Sequence, residues 1–146
     1  MSIHWDAIPK QTLLHENGEF GDCWRCCIAA VLGMPAESVP HFGVDVSGKP
    51  NRKDDADTQR WLAESGYCML YANSVACRRS LWMPMWYGDD VKKPPIIVCG
   101  PTIRSKTDAD HHAVVEIGSE LVYDPHPSEA GLLAVSEEYI IFKPYA

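Results

Sequence analysis

A cysteine at the start of a strongly apolar helix is the feature that most constrains how this chain folds. The residues from Cys23 to Leu32 predict a helix, with Asp22 as the N-cap residue and Gly33 as the left-handed residue that ends it. Its apolar side chains recur at the spacing of one helical face: Trp24, Cys27, Ile28 and Val31. We therefore expect a buried helix of about three turns that presents Cys23 on its first turn.

The rest of the pattern places helices before strands. Residues 1–21 are rich in loop signals, and a second helix is predicted over Lys53–Ser65, ending at Gly66. Short apolar runs then predict five strands: Tyr67–Ala72, Ile96–Cys99, His112–Ile117, Glu120–Asp124 and Tyr139–Lys143. Residues 73–95 are ambiguous because Pro84 interrupts an apolar run. The order predicts a single α+β domain over residues 1–146, in which the helical part packs on an antiparallel sheet.

Composition narrows the classes of function. The 146 residues are 46% apolar, enough for a sizeable core, and the net charge of −7 opposes binding to a phosphate backbone. No apolar run is long enough to span a membrane, and the first residues lack the features of a signal peptide. We therefore predict a cytoplasmic protein that binds neither nucleic acid nor membrane, and we interpret its six cysteines as thiols. The sequence does not indicate an oligomeric state.

The position of Cys23 suits a nucleophile. The first turn of a helix carries unpaired N–H groups and a partial positive charge, both of which stabilise a thiolate. A thiolate is the attacking form of cysteine in covalent catalysis. The alternative is that Cys23 is a small core residue, because free cysteines are often buried.

A base and its orienting carboxylate can be found later in the chain. His111 and His112 open a predicted strand, and Asp124 ends the strand that pairs with it, before Pro125. A histidine oriented by a carboxylate is the second half of a Cys-His-Asp arrangement. The alternative is that the histidines are solvated and that Asp124 only forms a turn with Pro125.

These motifs, in this order, resemble papain-like cysteine peptidases. There, a Gln-Gly-x-x-Gly-x-Cys-Trp segment precedes the active-site helix, and this chain has Asn17-Gly18-x-x-Gly21-Asp22-Cys23-Trp24. The family's His-Ala-Val strand matches His112-Ala113-Val114. The Asp-Cys pair and the Asp-Pro after the hairpin also resemble bacteriocin-processing peptidase domains and small uncharacterised phage and prophage proteins. A phage-encoded protein would act in the host cytoplasm.

The resemblance implies a papain-like fold and a Cys23-His112-Asp124 triad that cleaves an amide or isopeptide bond in a protein or peptide without a cofactor. It also implies that Asn17 stands where the family has the glutamine that binds the oxyanion. The sequence departs from the family there, since asparagine is one methylene shorter, and at Asp124, where papain itself has asparagine.

The sequence leaves open whether water accepts the acyl group from Cys23, as in a peptidase or amidase, or an amine accepts it, as in a related acyltransferase. Two other functions also stay open. The fold can serve as a catalytically weak module that captures a partner protein. The Cys23-x-x-Cys26 spacing can also belong to a thiol redox protein. A thioredoxin-type motif follows a strand, however, whereas the segment Glu16–Gly21 before Cys23 is polar and rich in glycine. A zinc site would need a second cysteine pair at similar spacing, and the chain has none.

The choice between the two histidines depends on the hairpin. With a regular two-residue turn at Gly118-Ser119, Asp124 shares a face of the sheet with His111. An odd loop or a β-bulge moves it to the face of His112. Because the resemblance favours His112, we predict an odd loop or a bulge between Ile117 and Asp124.

Overall fold

The computed structural model describes residues 3–14, 21–44, 47, 54–73, 93–107 and 110–144. Within these ranges, the chain forms two α-helices followed by five β-strands, which confirms the predicted α+β class. The helices are α1 (Cys23–Leu32) and α2 (Asp54–Glu64). The strands are β1 (Cys68–Asn73), β2 (Ile96–Gly100), β3 (His112–Ile117), β4 (Glu120–Tyr123) and β5 (Glu137–Phe142). The predicted segments agree with these bounds to within two residues wherever both are described.

The five strands form one sheet in the order β1-β5-β2-β3-β4, and every neighbouring pair is antiparallel. The last strand of the chain lies between β1 and β2, so contacts distant in sequence close the middle of the sheet. All five residues of β2 are buried, as expected of a strand covered on both faces. Next to it, β3 carries His112, and β4 leads to Asp124 at the sheet edge.

Helix α1 packs on the sheet across β3 and buries its apolar side. Cys27 and Ile28 have no exposed surface, and burial of a side chain as large as Ile28 stabilises the fold by about 1.5–3 kcal/mol. Trp24 joins three elements. Its indole Nε1–H donates to Thr58 Oγ1 of α2 at 3.0 Å, and its ring packs edge-on against Tyr139 of β5 at 4.6 Å between centroids. The orientation of α1, and with it the position of Cys23, is therefore fixed on both sides.

The two ends of α1 differ in how well the sequence predicts them. Gly33 adopts the left-handed conformation at φ 69°, as predicted, and its N–H and that of Met34 bond to carbonyls of the last turn. The predicted side-chain cap by Asp22 is wrong. Its carboxylate instead accepts the Leu13 N–H at 3.3 Å and forms an ion pair with Arg25 at 3.0 Å. A buried carboxylate is stabilised more by a guanidinium than by one N–H donor.

The β3–β4 hairpin contains the predicted bulge. Its two-residue turn, Gly118-Ser119, has positive φ at both positions, and Ile117 pairs with Glu120. The register then shifts, because Glu116 pairs with Leu121 whereas Val115 pairs with Tyr123. Val122 is thus an extra residue in β4. This shift brings Asp124 to the face of the sheet that His112 occupies.

In the part of the chain that the structure describes, neither α-helix has the length and apolar character required to cross a lipid bilayer.

Candidate active site

Cys23 is the first residue of α1 and is half-buried. The first intrahelical bond, from the Cys26 N–H to the Asp22 carbonyl at 3.2 Å, begins directly behind it. The N–H groups of the first turn have no partner within the helix, so they lie close to the Cys23 side chain. Cys23 therefore combines partial accessibility with the positive end of a helix dipole.

His112 and Asp124 form a close, buried pair. His112 Nε2 lies 2.7 Å from Asp124 Oδ1, and the side chains are 11% and 1% exposed. An ionised carboxylate only accepts hydrogen bonds, so Nε2 carries a proton and donates it to Asp124. The other ring nitrogen, Nδ1, is left for the thiol. His112 and Cys23 line the same cavity, and the Cys23 side chain raises the pKa of the imidazole.

The charge on His112 follows from these two neighbours. Burial is the largest single influence and lowers the pKa of His112, but the hydrogen bonds to Asp124 and Cys23 together outweigh it. The net effect raises the pKa of the imidazole from 6.5 to about 9. A protonated His112 beside the Cys23 sulfur can stabilise a thiolate.

Asp124 is held by three donors. Its Oδ1 accepts from His112 and from the His126 backbone N–H at 2.9 Å, and its Oδ2 accepts from the Gly131 N–H at 2.8 Å. Burial alone would raise the pKa of the Asp124 carboxyl, but the three hydrogen bonds and the nearby imidazolium lower it below 3.8. Asp124 is therefore ionised at neutral pH and fixed in orientation.

The structure brings together three of the four residues predicted from the sequence, namely Cys23, His112 and Asp124. The predicted pairing is observed, since His112 and not His111 makes the hydrogen bond to Asp124; the catalytic role of His112 stays a prediction. His111 lines the cleft beside Cys23. Asn17, the fourth predicted residue, lies outside the described residues, and its role stays a prediction.

Gln11 is a site residue that the sequence analysis did not identify. The segment before α1 is pinned to the end of β4, because the Gln11 N–H donates to the Pro125 carbonyl at 2.8 Å and Tyr123 Oη donates to the Pro9 carbonyl at 2.7 Å. This places Gln11 in the wall of the cleft that contains Cys23 and His112. Gln11 lies twelve residues before Cys23, so no local spacing relates the two in the sequence.

The Gln11 side chain is buried, yet its hydrogen-bonding capacity is only partly used. Its Nε2 donates to the Leu13 carbonyl at 2.6 Å, and its Oε1 is buried without a hydrogen-bond partner among the described residues. Such a group in a cleft wall is expected to bind something, since an unsatisfied buried polar atom costs about 1–3 kcal/mol. Among the described residues, the second Nε2–H bond has no hydrogen-bond partner either.

Two cavities meet at Cys23 and His112. One has a volume of about 300 Å³ and includes Gln11, Arg104 and His126 in its walls. The other has a volume of about 500 Å³ and extends past Trp24 and Tyr139. A chain-like substrate could therefore occupy space on both sides of the Cys23 sulfur.

Three of the other described cysteines, Cys26, Cys27 and Cys99, are packing residues of the core. None of the five described cysteines is in a disulfide, and Cys26 and Cys27 are buried below Cys23. Burial raises the pKa of the Cys26 thiol to about 12 and also raises the pKa of the Cys27 thiol well above its usual value. Among the residues that the structure describes, no three His, Cys, Asp or Glu side chains are grouped so that they could hold a metal ion.

Comparisons of this chain with protein-family models, with curated proteins and with solved structures found no significant match.

Proposed function

We propose that this protein is a papain-like cysteine hydrolase that cleaves an amide or isopeptide bond through a thioester on Cys23. The observation that carries this proposal is the position of His112, which forms a hydrogen bond with the Asp124 carboxylate and lines the same cavity as the Cys23 thiol. A general base held by a third group next to a nucleophile is the arrangement that acyl transfer requires. The α1 helix packed on an antiparallel sheet agrees with a papain-like fold.

Each residue of the triad has one role in the reaction. The imidazolium of His112 holds the proton given up by the Cys23 thiol, and the Cys23 sulfur attacks the carbonyl carbon. As the C–N bond breaks, His112 returns the proton to the leaving amine, and the acyl group remains on sulfur as a thioester. Water, deprotonated by His112, then hydrolyses the thioester and regenerates the thiol. Asp124 keeps the Nε2–H of His112 in place throughout, so that Nδ1 faces the sulfur.

The oxyanion of the tetrahedral intermediate needs donors in the cleft. The backbone N–H of Cys23 at the start of α1 is one candidate. For the second, we favour the Gln11 side-chain amide over Asn17, because Gln11 lies in the cleft wall and has one uncommitted N–H bond. An amide held by the Leu13 carbonyl is already oriented before substrate binds, which is what electrostatic stabilisation of the oxyanion requires.

The redox alternative is weaker on chemical grounds. A resolving thiol at Cys26 would have to ionise, but Cys26 is 3% exposed and its pKa is raised to about 12 by burial. The binding-module alternative makes a different experimental prediction, because it requires no turnover.

The test is a panel of peptide and isopeptide conjugates, together with thiol-reactive acyl probes. We expect hydrolysis and a covalent acyl adduct on Cys23, both lost in Cys23→Ala and His112→Asn. Cys68→Ser is the matched control, since Cys68 is a half-buried thiol in β1, away from the site. A protein whose Cys23 forms no adduct with any probe, although it is folded, contradicts the proposal.

A further inference from the structure

The cleft beside Cys23 contains a cation that is held in place. Arg104 is half-buried in its wall, and its guanidinium Nη1 donates to Ser128 Oγ at 2.9 Å. Ser128 is itself anchored, because its Oγ lies 2.8 Å from His126 Nδ1 and its N–H donates to the same nitrogen at 3.0 Å. The contact thus ties Arg104 to the segment that follows Asp124.

The backbone around Arg104 is fixed as well. The Arg104 N–H donates to Thr102 Oγ1 at 3.1 Å, and the Ser105 hydroxyl joins the two ends of the loop. It accepts the Thr102 N–H at 2.9 Å and donates to the Asp110 carbonyl at 2.6 Å. These bonds hold the backbone from which the Arg104 side chain extends. Less conformational entropy of the loop is therefore lost when the guanidinium binds an anion than would be lost from an unconstrained loop.

Basic side chains outnumber acidic ones in the walls of this cavity. Arg104 and Lys106 line it, against one acidic side chain, Asp110. The Asp110 Oδ2 accepts the Lys106 backbone N–H at 3.2 Å. Within the described residues, Arg104 makes no ion pair, and the Ser128 contact uses one of its five N–H donors. A local excess of positive charge is notable in a chain whose net charge is −7.

We propose that Arg104 determines specificity by binding a carboxylate of the substrate close to the scissile amide. This inference rests on the proposed function and adds the substrate class, a peptide or conjugate with an acidic side chain or a terminal carboxylate at that position. A guanidinium binds a carboxylate through two parallel hydrogen bonds, which gives both geometry and charge selectivity.

The test compares two alkylating agents of similar size, iodoacetate and iodoacetamide, which differ in charge. The readout is the ratio of their second-order rate constants at Cys23. In Arg104→Gln, we expect this ratio to fall by about three- to tenfold at low ionic strength, since one nearby charge has been removed. Arg104→Lys retains the charge and should retain most of the ratio. In the wild-type protein the ratio should fall as salt is added.

Arg60→Gln is the matched control, because it removes the same charge from the exposed face of α2, where Arg60 pairs with Asp57. Its ratio should equal that of the wild type. An unchanged ratio in Arg104→Gln, or an equal loss of both rates, would overturn the specificity role while leaving the nucleophile in place. If Cys23 in the wild-type protein reacts no faster than an unfolded thiol with either reagent, both this inference and the proposed function fail.

Peptide pairs then identify the source of the carboxylate. In the first pair, the residue next to the scissile bond is glutamate in one peptide and glutamine in the other. In the second pair, one peptide has a free C-terminal carboxylate and the other has a C-terminal amide. We expect wild-type kcat/KM to favour the acidic member of one pair by at least about tenfold, and Arg104→Gln to reduce that preference. Equal cleavage within both pairs would overturn the inference.

Discussion

His112 Nε2 donates a 2.7 Å hydrogen bond to Asp124 Oδ1, and the two residues reach each other only because Val122 is an extra residue in the strand between them. Side chains alternate between the two faces of a strand, so without this extra residue Asp124 would lie on the face opposite to that of His112. A single irregularity in β4 therefore decides which of the two histidines Asp124 orients.

The thiol of Cys23 should be alkylated before the other cysteines at a limiting dose of iodoacetamide near neutral pH. Cys23 is half-buried at the start of α1 and open to the cleft, whereas Cys26, Cys27 and Cys99 are buried. Mass-spectrometric mapping of the labelled peptides measures the order of reaction. Labelling of Cys68, Cys77 or Cys99 first in the folded protein would refute the assignment.

Asp124→Asn should impair both stability and activity. Both oxygens of Asp124 accept hydrogen bonds, so the amide of asparagine would point its own N–H bonds at a donor, at a cost of about 1–3 kcal/mol in the free energy of unfolding. The loss of the correct histidine tautomer should lower kcat by up to about 10⁴.

Urea denaturation and turnover rates measure these two effects of Asp124→Asn. Asp57→Asn is the control, because Asp57 forms an ion pair on the surface of α2 and should cost less than about 1 kcal/mol. A variant at Asp124 as stable and active as the wild type would show that the carboxylate is dispensable.

The imidazole of His112 should titrate at about pH 9 rather than near 6.5. Because the pKa is higher in the folded state than in the unfolded state, this group contributes stability that is fully present below pH 6.5 and is lost as the pH rises through about 9. NMR titration, with the signal assigned through His112→Asn, measures the value. In Cys23→Ala the midpoint should fall, since a hydrogen bond and a charge that favour the imidazolium are gone; an unchanged midpoint would argue against the Cys23 contact.

Gln11→Ala should lower kcat by about 10²–10³ with little change in KM, if its amide binds the oxyanion. Asn17→Ala is the comparison, and we expect the smaller effect there. Steady-state kinetics on a substrate from the panel distinguish the two. A large loss in Asn17→Ala alone would reassign the oxyanion donor to the residue that the family resemblance implies.

Gly100→Ala should destabilise the fold by about 3 kcal/mol. A Cβ at Gly100 would clash with the Ala134 carbonyl oxygen. The neighbouring backbone cannot move away, because the Ser136 and Leu133 N–H groups donate to the Cys99 and Pro101 carbonyls. Gly33→Ala, where a Cβ meets no atom but φ is 69°, should cost about 1 kcal/mol from backbone strain alone. Thermal or urea unfolding compares the two variants, and equal costs would contradict the close approach at Gly100.

Local patterns in the sequence determined the elements and most of the triad. The helical spacing of apolar residues and Gly33 allowed both ends of α1 to be predicted to the residue. Both signals depend only on residues within about one helical turn of each other. The apolar runs and the turn between them predicted the hairpin. Because side chains alternate between the two faces of a strand, a regular hairpin would put His112 and Asp124 on opposite faces, so they could meet only through an irregularity. These features could be predicted since each depends on residues close together in the sequence.

Tertiary structure alone decided how distant residues complete the cleft. Gln11 reaches it through hydrogen bonds with residues more than a hundred positions away, and Arg104 is oriented by Ser128 from another loop. Asp22 bonds to Leu13 and Arg25 instead of capping α1. No spacing rule predicts such contacts, because they depend on how the packed sheet brings separate loops together and on which donors then surround each buried polar group.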